Sequence, residues 1–156
     1  MQVKSFEKAL EFNSIPWLTD CLVKQRNPVI GNSRLDYLLE CPECEVWVEV
    51  KSAVLIHHGI FAGYPDCLSL RGRRHIQELI KLALKGRKAL LVFIAAHPKA
   101  RAFKPYSRGD PQITELLKKA MKSGVRVRAL QIKGIIKKDK NTIITVLQNP
   151  DLPVVI

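Results

Sequence analysis

The sequence predicts a mixed α/β fold in which a β-sheet is flanked by helices. Residues 35–40 and 46–51 alternate apolar and polar side chains, as the two strands of a β-hairpin do. Residues 88–96, "KALLVFIAA", form a nearly continuous apolar run, which indicates a strand buried on both faces. The chain has 156 residues, 47% of them apolar, so we expect a single folded domain over residues 1–156.

The first third of the chain contains a helix and the hairpin. Apolar residues in "KSFEKALEF" recur at helical spacing and predict a helix over about residues 4–12. Residues 17–25 are interpreted as a second helical turn, and residues 27–33 as a turn-rich stretch with room for a short strand. The hairpin follows. Residues 52–69 are then expected to form a long loop, with at most a short extension of the preceding strand at its start.

The remainder alternates helices and strands. Ser69 has the character of a helix N-cap and Gly86 that of a stop, which predicts a helix between them and the buried strand after it. Asp110 and Pro111 open a further helix that ends at Gly124. A strand and another hairpin complete the chain. The predicted order is therefore helix, hairpin, helix, strand, helix, strand, strand.

The charge of the chain points to a polyanionic partner. Lys and Arg number 26 against 14 Asp and Glu, a formal net charge of +12. Such an excess favours binding to nucleic acid, and we expect DNA as the partner. The alternative is a basic surface that serves solubility in a thermophile or in an organism with a basic proteome.

No segment predicts a membrane partner or export. The longest apolar run is too short to cross a bilayer, and no signal peptide opens the sequence. We therefore expect a cytoplasmic protein. No feature of the sequence sets the oligomeric state.

The cysteines do not predict a disulfide scaffold in a chain of this size. Cys41 and Cys44, in "CPEC", have the spacing of half a zinc site, which needs four ligands. The two further ligands would come from a set whose spacing selects none of them: Cys21, Cys67, His57 and His58. A reduced hairpin tip or an occasional disulfide is the simpler interpretation.

The hairpin carries acidic residues where a core is expected. Glu49 and Lys51 leave the same face of their strand, while Val48 and Val50 enter the core on the other. Counting back from the turn allows Asp36 to lie across from Glu49, at about 5 Å between Cβ atoms.

Two carboxylates that close repel each other, and a hard cation such as Mg²⁺ relieves the repulsion. Lys51 would stand where a phosphate or an attacking water is placed. The pattern therefore predicts a water-accessible metal site for hydrolysis. The alternative is an ordinary polar outer face with a weak Glu–Lys surface pair.

Several segments together resemble a known family more specifically than this spacing does. They occur in the family's order, from about Phe6 to the C-terminus, and are "SRLDYLLE", "VEVKS", "YPDCLSLRGRRHIQELI", "KALLVFIAAHP" and "DPQITELLKKAMKSGVRVRAL". The sequence resembles the sugar fermentation stimulation protein family, whose catalytic domain is similar to the PD-(D/E)xK nucleases. The resemblance implies a restriction-endonuclease-like core and metal-dependent hydrolysis of DNA with Mg²⁺ or Mn²⁺.

The resemblance also assigns roles to residues. It implies that Asp36, Glu49 and Lys51 are catalytic, and that Asp36, Glu49 and Glu7 bind the metal. Glu11 is the alternative to Glu7 on the first helix. Family members usually carry an N-terminal OB-type domain, and this sequence begins near the first nuclease helix. The alternative function is a non-catalytic DNA-binding or regulatory protein of sugar metabolism on a nuclease scaffold.

Basic residues supply candidate DNA contacts. Arg71, Arg73 and Arg74 precede or open a helix whose free N–H groups attract phosphate, and His75 follows them. Arg34 lies two residues before Asp36 and would neutralise a phosphate or pair with a carboxylate. The alternative is a solvated basic helix start with His75 packed on the sheet.

A loop over residues 95–110 mixes basic and aromatic residues, as nucleic-acid-binding loops do. Its aromatic residues, Phe103 and Tyr106, would stack on bases or, alternatively, cap the core. The basic residues of this loop are Lys99, Arg101, Lys104 and Arg108.

Overall fold

The computed structural model describes residues 2–137 and 142–156. A short 3-10 turn covers Pro16–Leu18. The other elements, in chain order, are α1 (Gln2–Glu11), β1 (Leu22–Arg26), β2 (Val29–Ile30), β3 (Ser33–Arg34), β4 (Tyr37–Glu40), β5 (Glu45–Ala53), β6 (Leu55–His57), β7 (Phe61–Gly63), α2 (Leu70–Leu84), β8 (Lys88–Ala95), β9 (Ala102–Phe103), α3 (Pro111–Lys122), β10 (Arg126–Lys137) and β11 (Thr142–Leu152).

The main sheet is mixed and confirms the predicted fold class. Its strand order is β1-β4-β5-β8-β10-β11. The central strands β5, β8 and β10 run parallel, because α2 and α3 provide the crossovers between them. The pairs nearer the edges are antiparallel: β1 with β4, β4 with β5, and β10 with β11.

Two apolar clusters fill the faces of this sheet. α1 covers one face, and α2 and α3 cover the other. The apolar run of β8 is continuous because both faces of the strand are buried. Val92 and Ile94 enter the cluster under α1 (the α1 cluster), and Leu91 and Phe93 enter the cluster under α2 and α3 (the α2–α3 cluster). The predicted strand buried on both faces is confirmed.

The predicted helix boundaries in the second half are also confirmed. The Ser69 hydroxyl accepts a hydrogen bond from the Gly72 N–H at 3.1 Å and caps α2. The Asp110 carboxylate accepts from the Gln112 N–H at 3.2 Å and caps α3. Gly86 ends its helix at a positive φ of 80°, which glycine adopts without steric cost.

Two predictions in the first half are wrong. The helical turn expected over residues 17–25 is replaced by the 3-10 turn and β1, an edge strand whose mostly exposed side chains show no alternation. The long loop expected over residues 52–69 contains β6 and β7, which pair with each other, and β7 also pairs with β9 in a small three-stranded sheet. Short strands of this kind are specified by their partners rather than by local pattern.

Both predicted hairpins are present, in β4–β5 and in β10–β11. The tip of the second, residues 138–141, lies outside the described residues. A disulfide joins Cys21 to Cys41, while Cys44 and Cys67 are free and exposed, so the two cysteines of "CPEC" have different environments. No helix in the described ranges is long and apolar enough to cross a membrane.

Candidate active site

The hairpin register places Asp36 opposite Glu49. Tyr37 pairs with Val48, and extending the ladder by one residue brings Asp36 across from Glu49. The Asp36 N–H donates to the Val48 carbonyl at 3.2 Å, and the Val50 N–H donates to Asp36 Oδ2 at 2.7 Å. These bonds on either side of Glu49 fix the Asp36 backbone and carboxylate against β5.

Glu49 is buried under α2 with only 3% of its surface exposed. Its Oε1 atom lies 2.5 Å from His75 Nδ1 and 2.7 Å from Lys51 Nζ. Nζ and Nδ1 are 2.9 Å apart, so the three atoms form a triangle. A single ring nitrogen can donate to Glu49 or accept from Lys51 but cannot do both, so one edge of the triangle carries no hydrogen bond.

The two oxygens of Glu49 differ sharply. Oε1 contacts both His75 and Lys51, whereas Oε2 is buried and has no hydrogen-bond partner among the described residues. A buried carboxylate oxygen without a donor is costly. The site therefore contains a strong acceptor, next to a second carboxylate, that a cation would satisfy.

The electrostatics of the pair fit this arrangement. Burial, followed by the nearby charge of Glu49, raises the pKa of Asp36 from 3.8 to about 6. Burial alone would raise the pKa of Glu49, but the hydrogen bond from His75 and the charge of Lys51 more than offset it and lower that pKa. Glu49 is thus ionised at neutral pH, and Asp36 changes charge close to neutrality.

The pocket is more enclosed than the sequence predicts. The alternation of β5 puts Glu49 and Lys51 on one face, as expected, but α2 covers that face, and the Lys51 side chain is 13% exposed. Lys51 remains inside the cluster, since its partners are Glu49 and His75.

Glu7 is not brought to this pair. It accepts hydrogen bonds from Arg26 Nε at 2.9 Å and from the Tyr37 hydroxyl at 2.8 Å, on the α1 side of the sheet. The hydrogen bond from Arg26 lowers the pKa of Glu7. Across the described ranges, no three His, Cys, Asp or Glu side chains gather as a metal site. The structure therefore does not support Glu7 as a third ligand or a multi-cysteine zinc site.

The predicted DNA contacts divide into two groups. Arg34, Arg71 and Arg74 are exposed. Arg73 is not available, because its Nε and Nη2 donate to the two oxygens of buried Asp110 at 2.8 and 2.7 Å. This ion pair joins α2 to the cap of α3, so the guanidinium predicted as a phosphate contact is bonded within the protein.

His75 is 4% exposed and contacts Glu49 rather than solvent, as the alternative interpretation of a histidine packed on the sheet expects. Its spacing agrees with that interpretation: His75 precedes Leu79 by four residues and Leu82 by seven, and both leucines are buried. That spacing places His75 on the core-facing side of α2.

Fold and site together define a mixed α/β protein with a D…ExK arrangement, in which two acidic residues and a lysine come from one hairpin. The sequence also matches the family description "Sugar fermentation stimulation protein RE domain" over residues 1–138. The chain belongs to the sugar fermentation stimulation protein family.

Individual relatives support the same family assignment. A sugar fermentation stimulation protein homolog of Pyrococcus furiosus is 55% identical over 130 residues, covering 83% of this chain and 56% of the relative. One from Archaeoglobus fulgidus is 39% identical over 156 residues, covering 100% of this chain and 63% of the relative. This chain thus spans less than two thirds of the length of either relative.

A solved structure is similar throughout. The structure of Pyrococcus furiosus SfsA in complex with Ca²⁺ superposes with a TM-score of 0.90 at 48% sequence identity. The match covers 99% of this chain and 64% of that one. The similarity therefore includes the sheet, the helices and the hairpin that carries the acidic pair.

Proposed function

We propose that this protein is a metal-dependent nuclease that hydrolyses DNA phosphodiester bonds. The observation that carries the proposal is the unsatisfied Oε2 of Glu49, buried beside a second carboxylate whose pKa is raised by burial and by Glu49. A purely structural acid pair would have both oxygens of Glu49 satisfied.

The donor set fits Mg²⁺ or Mn²⁺. Mg²⁺ is commonly held by one or two carboxylates, with waters and substrate phosphates completing its coordination. Asp36 and Glu49 provide two carboxylates, and in this proposal they hold the ion. The similar SfsA of Pyrococcus furiosus is in complex with Ca²⁺, another hard cation that takes oxygen ligands. A bound divalent ion would lower the pKa of a water and neutralise charge on a phosphate.

The chain's own residues have distinct tasks in this proposal. Glu49 is held in one orientation by His75 and Lys51, which leaves Oε2 directed away from both. Lys51 places an ammonium beside the acidic pair, where it would stabilise the negative charge that develops on the attacked phosphate. Asp36 would bind the ion in its ionised form, and in the metal-free protein its pKa is raised to about 6.

The exposed arginines and the net charge support DNA as the substrate. Arg34, Arg71 and Arg74 present guanidinium groups to solvent, and the chain carries +12. Such groups bind phosphates without reading sequence. In this proposal, the protein acts in the cytoplasm, where the DNA of archaeal and bacterial cells lies.

One observation favours a second candidate, a DNA-binding or regulatory protein that does not cut. Lys51 is largely buried and already contacts Glu49 and His75, so its ammonium has little exposure toward a substrate. In this alternative the carboxylates hold an ion only to bring DNA close.

Incubation with supercoiled plasmid separates the two candidates. We expect nicking with Mg²⁺ or Mn²⁺, none in EDTA, and loss of activity in Glu49→Gln. Lys51→Ala should fold normally and cut about 100-fold more slowly. Glu40→Gln, an exposed carboxylate at the end of β4, is the matched control and should cut normally.

Three outcomes would contradict these expectations. Cutting that persists in Glu49→Gln indicates a contaminating nuclease and removes the support for the proposal. DNA binding without cutting in every divalent metal favours the second candidate. Full activity in Lys51→Ala would contradict the role given to that residue.

A further inference from the structure

The small sheet β6–β7–β9 has an inner and an outer face. His57 pairs with Phe61, and Ile56 pairs with Ala62. Ala62 and Phe103 belong to the α2–α3 cluster, and Ile56 packs against it. Because side chains alternate along a strand, His57 and Phe61 lie on the opposite face, away from that cluster.

Four rings gather on the outer face, which we call the stacking face: His57, His58, Phe61 and Tyr106. The His57 ring centroid lies 5.7 Å from that of Phe61, 5.3 Å from that of Tyr106 and 5.3 Å from that of His58. His58 is exposed, and the other three are partly exposed. The ring planes are inclined to one another by 43° to 77°, and together they form an aromatic cluster that reaches solvent.

The central ring of this surface is held in place. His57 Nε2 lies 3.0 Å from the Lys104 carbonyl, and the ring rests against Gly63. A Cβ added to Gly63 would meet His57 Cδ2 at 2.9 Å and Tyr106 Cβ at 3.2 Å. The absence of a side chain at Gly63 therefore allows two rings to lie close over the backbone. A rigid aromatic surface loses little entropy when a ligand stacks on it.

The two chain segments that build the stacking face are basic. The segments that build it, residues 54–64 and 97–109, contain no aspartate or glutamate. Lys104 Nζ lies 5.3 Å from the Phe61 ring centroid, a weak contact at an exposed position that a phosphate can replace. The exposed cations of these segments are Lys99, Arg101, Lys104 and Arg108.

From these observations we infer that the stacking face binds unpaired bases of single-stranded DNA, while the neighbouring cations bind its phosphates. Aromatic rings interleaved with cations are the features that single-strand binding surfaces share. Bases in a duplex are stacked on one another and do not offer their faces, so an intact duplex would gain only the phosphate contacts.

The stacking face adjoins the candidate active site along the chain. His57 follows Lys51 by six residues, a distance of at most about 21 Å of extended backbone. A single strand of a few nucleotides is long enough to cover that distance. The inference rests on the proposed nuclease function and extends it: the substrate at this site includes an unpaired strand.

The test is DNA binding in EDTA, where no metal-dependent cutting occurs. Fluorescence anisotropy would compare a labelled oligothymidylate of about 15 nucleotides with a blunt duplex of the same length. The variants are His58→Asn and Phe61→Leu. His58 has a φ of 49°, which asparagine tolerates, and leucine keeps apolar volume without a ring. Phe12→Ala, which removes an aromatic residue that is 71% exposed in the turn after α1, is the control.

We expect each variant to weaken oligothymidylate binding about five- to tenfold and to change duplex binding less than about twofold. The control should bind both DNAs normally. Oligothymidylate affinity within about twofold of wild type in both variants would overturn the inference, as would equal losses for duplex and single strand. Thermal melting checks that the variants are folded. If Phe61→Leu is destabilised, the His58→Asn variant alone provides the test, because His58 is exposed.

The two proposals fail in different ways. Weakened single-strand binding in the variants, together with no plasmid cutting in any metal, would support the single-strand-binding inference and contradict the nuclease proposal. Plasmid cutting with unchanged single-strand binding in both variants would do the reverse.

Discussion

Two buried carboxylates contact the first turns of α2, and they differ in how completely they are satisfied. Asp110 accepts two hydrogen bonds from Arg73 and one each from the N–H groups of Ser69 and Gln112. Glu49 receives both of its contacts at Oε1, and nothing in the described part of the chain donates to Oε2. We call the first arrangement the closed site, because both oxygens of Asp110 accept hydrogen bonds. We call the second the open site, because Glu49 Oε2 accepts none from the described residues.

The pKa directions separate the two sites in the same way. The hydrogen bond from Arg73 lowers the pKa of Asp110. The ionised carboxylate therefore stabilises the fold at pH values above the ordinary pKa of an aspartate. Burial and Glu49 raise the pKa of Asp36 to about 6, so the ionised acidic pair destabilises the metal-free fold. The Asp110 carboxylate therefore stabilises the fold, whereas the Asp36–Glu49 pair is the place where we propose that a cation binds.

The largest effect on stability is expected at the closed site. Asp110→Ala removes a helix cap and leaves the Arg73 charge without its partner, so the free energy of unfolding should fall by about 3–5 kcal/mol. Urea denaturation measures this change. Asp66→Ala, an exposed aspartate, should change stability by less than about 0.5 kcal/mol. A loss at Asp110 no larger than that of the control would remove the contrast between the two sites.

Two neighbouring arginines on α2 test how much the ion pair with Asp110 contributes to stability. Arg73→Ala should cost about 2–4 kcal/mol of unfolding free energy, because Asp110 is left buried and unpaired. Arg74→Ala, one residue away and exposed, should cost less than about 0.5 kcal/mol. Thermal or urea unfolding of the two variants side by side provides the measurement. Equal costs would show that the ion pair with Asp110 contributes nothing specific.

At the open site, removing a charge should stabilise the metal-free protein. Between its ordinary value of 3.8 and about 6, Asp36 is ionised only in the unfolded chain, so its contribution to stability is lost as the pH rises through about 6. Asp36→Asn avoids that loss and still accepts from the Val50 N–H. In EDTA, its advantage over wild type should grow from about pH 4 to about pH 7.5, reaching about 1–3 kcal/mol.

Urea denaturation across that pH range measures this advantage. Asp66→Asn is the control, since an exposed carboxylate should give a difference that does not change with pH. A destabilised Asp36→Asn near neutral pH would indicate that Asp36 is a structural residue like Asp110.

The smallest effect is expected from the arginines that the structure leaves exposed. Arg71→Ala should weaken duplex binding a few-fold at about 0.1 M salt and reduce the steepness of the salt dependence, without loss of stability. Anisotropy titrations at several salt concentrations test this. An affinity that does not change with salt would argue against phosphate contacts altogether.

The sequence predicts the elements that local chemistry specifies. Ser69, Asp110 and Pro111 mark helix starts by their own hydrogen bonds or ring geometry. The Asp36–Glu49 pairing could be predicted because a short hairpin leaves few possible registers. β1 was missed because an edge strand has one partner and little burial.

The remaining site features depend on distant contacts. Arg71, Arg73 and Arg74 look alike in the sequence, and only Asp110, 37 residues after Arg73, distinguishes the middle one. The contact of His75 with Glu49 depends on how α2 is rotated against β5, which is a property of the packed helix. The disulfide likewise depends on the fold, because Cys21 precedes β1, Cys41 follows β4, and the pairing of these strands brings the two cysteines together.

Calorimetric titration with Mn²⁺ at about pH 7.5, where Asp36 is ionised, is the decisive measurement for the proposed cation site. We expect binding by the wild-type protein, and binding at least about tenfold weaker in both Glu49→Gln and Asp36→Asn. Glu40→Gln should bind like wild type. Undiminished Mn²⁺ binding in Glu49→Gln would show that the cation is not held by the open oxygen beside Asp36.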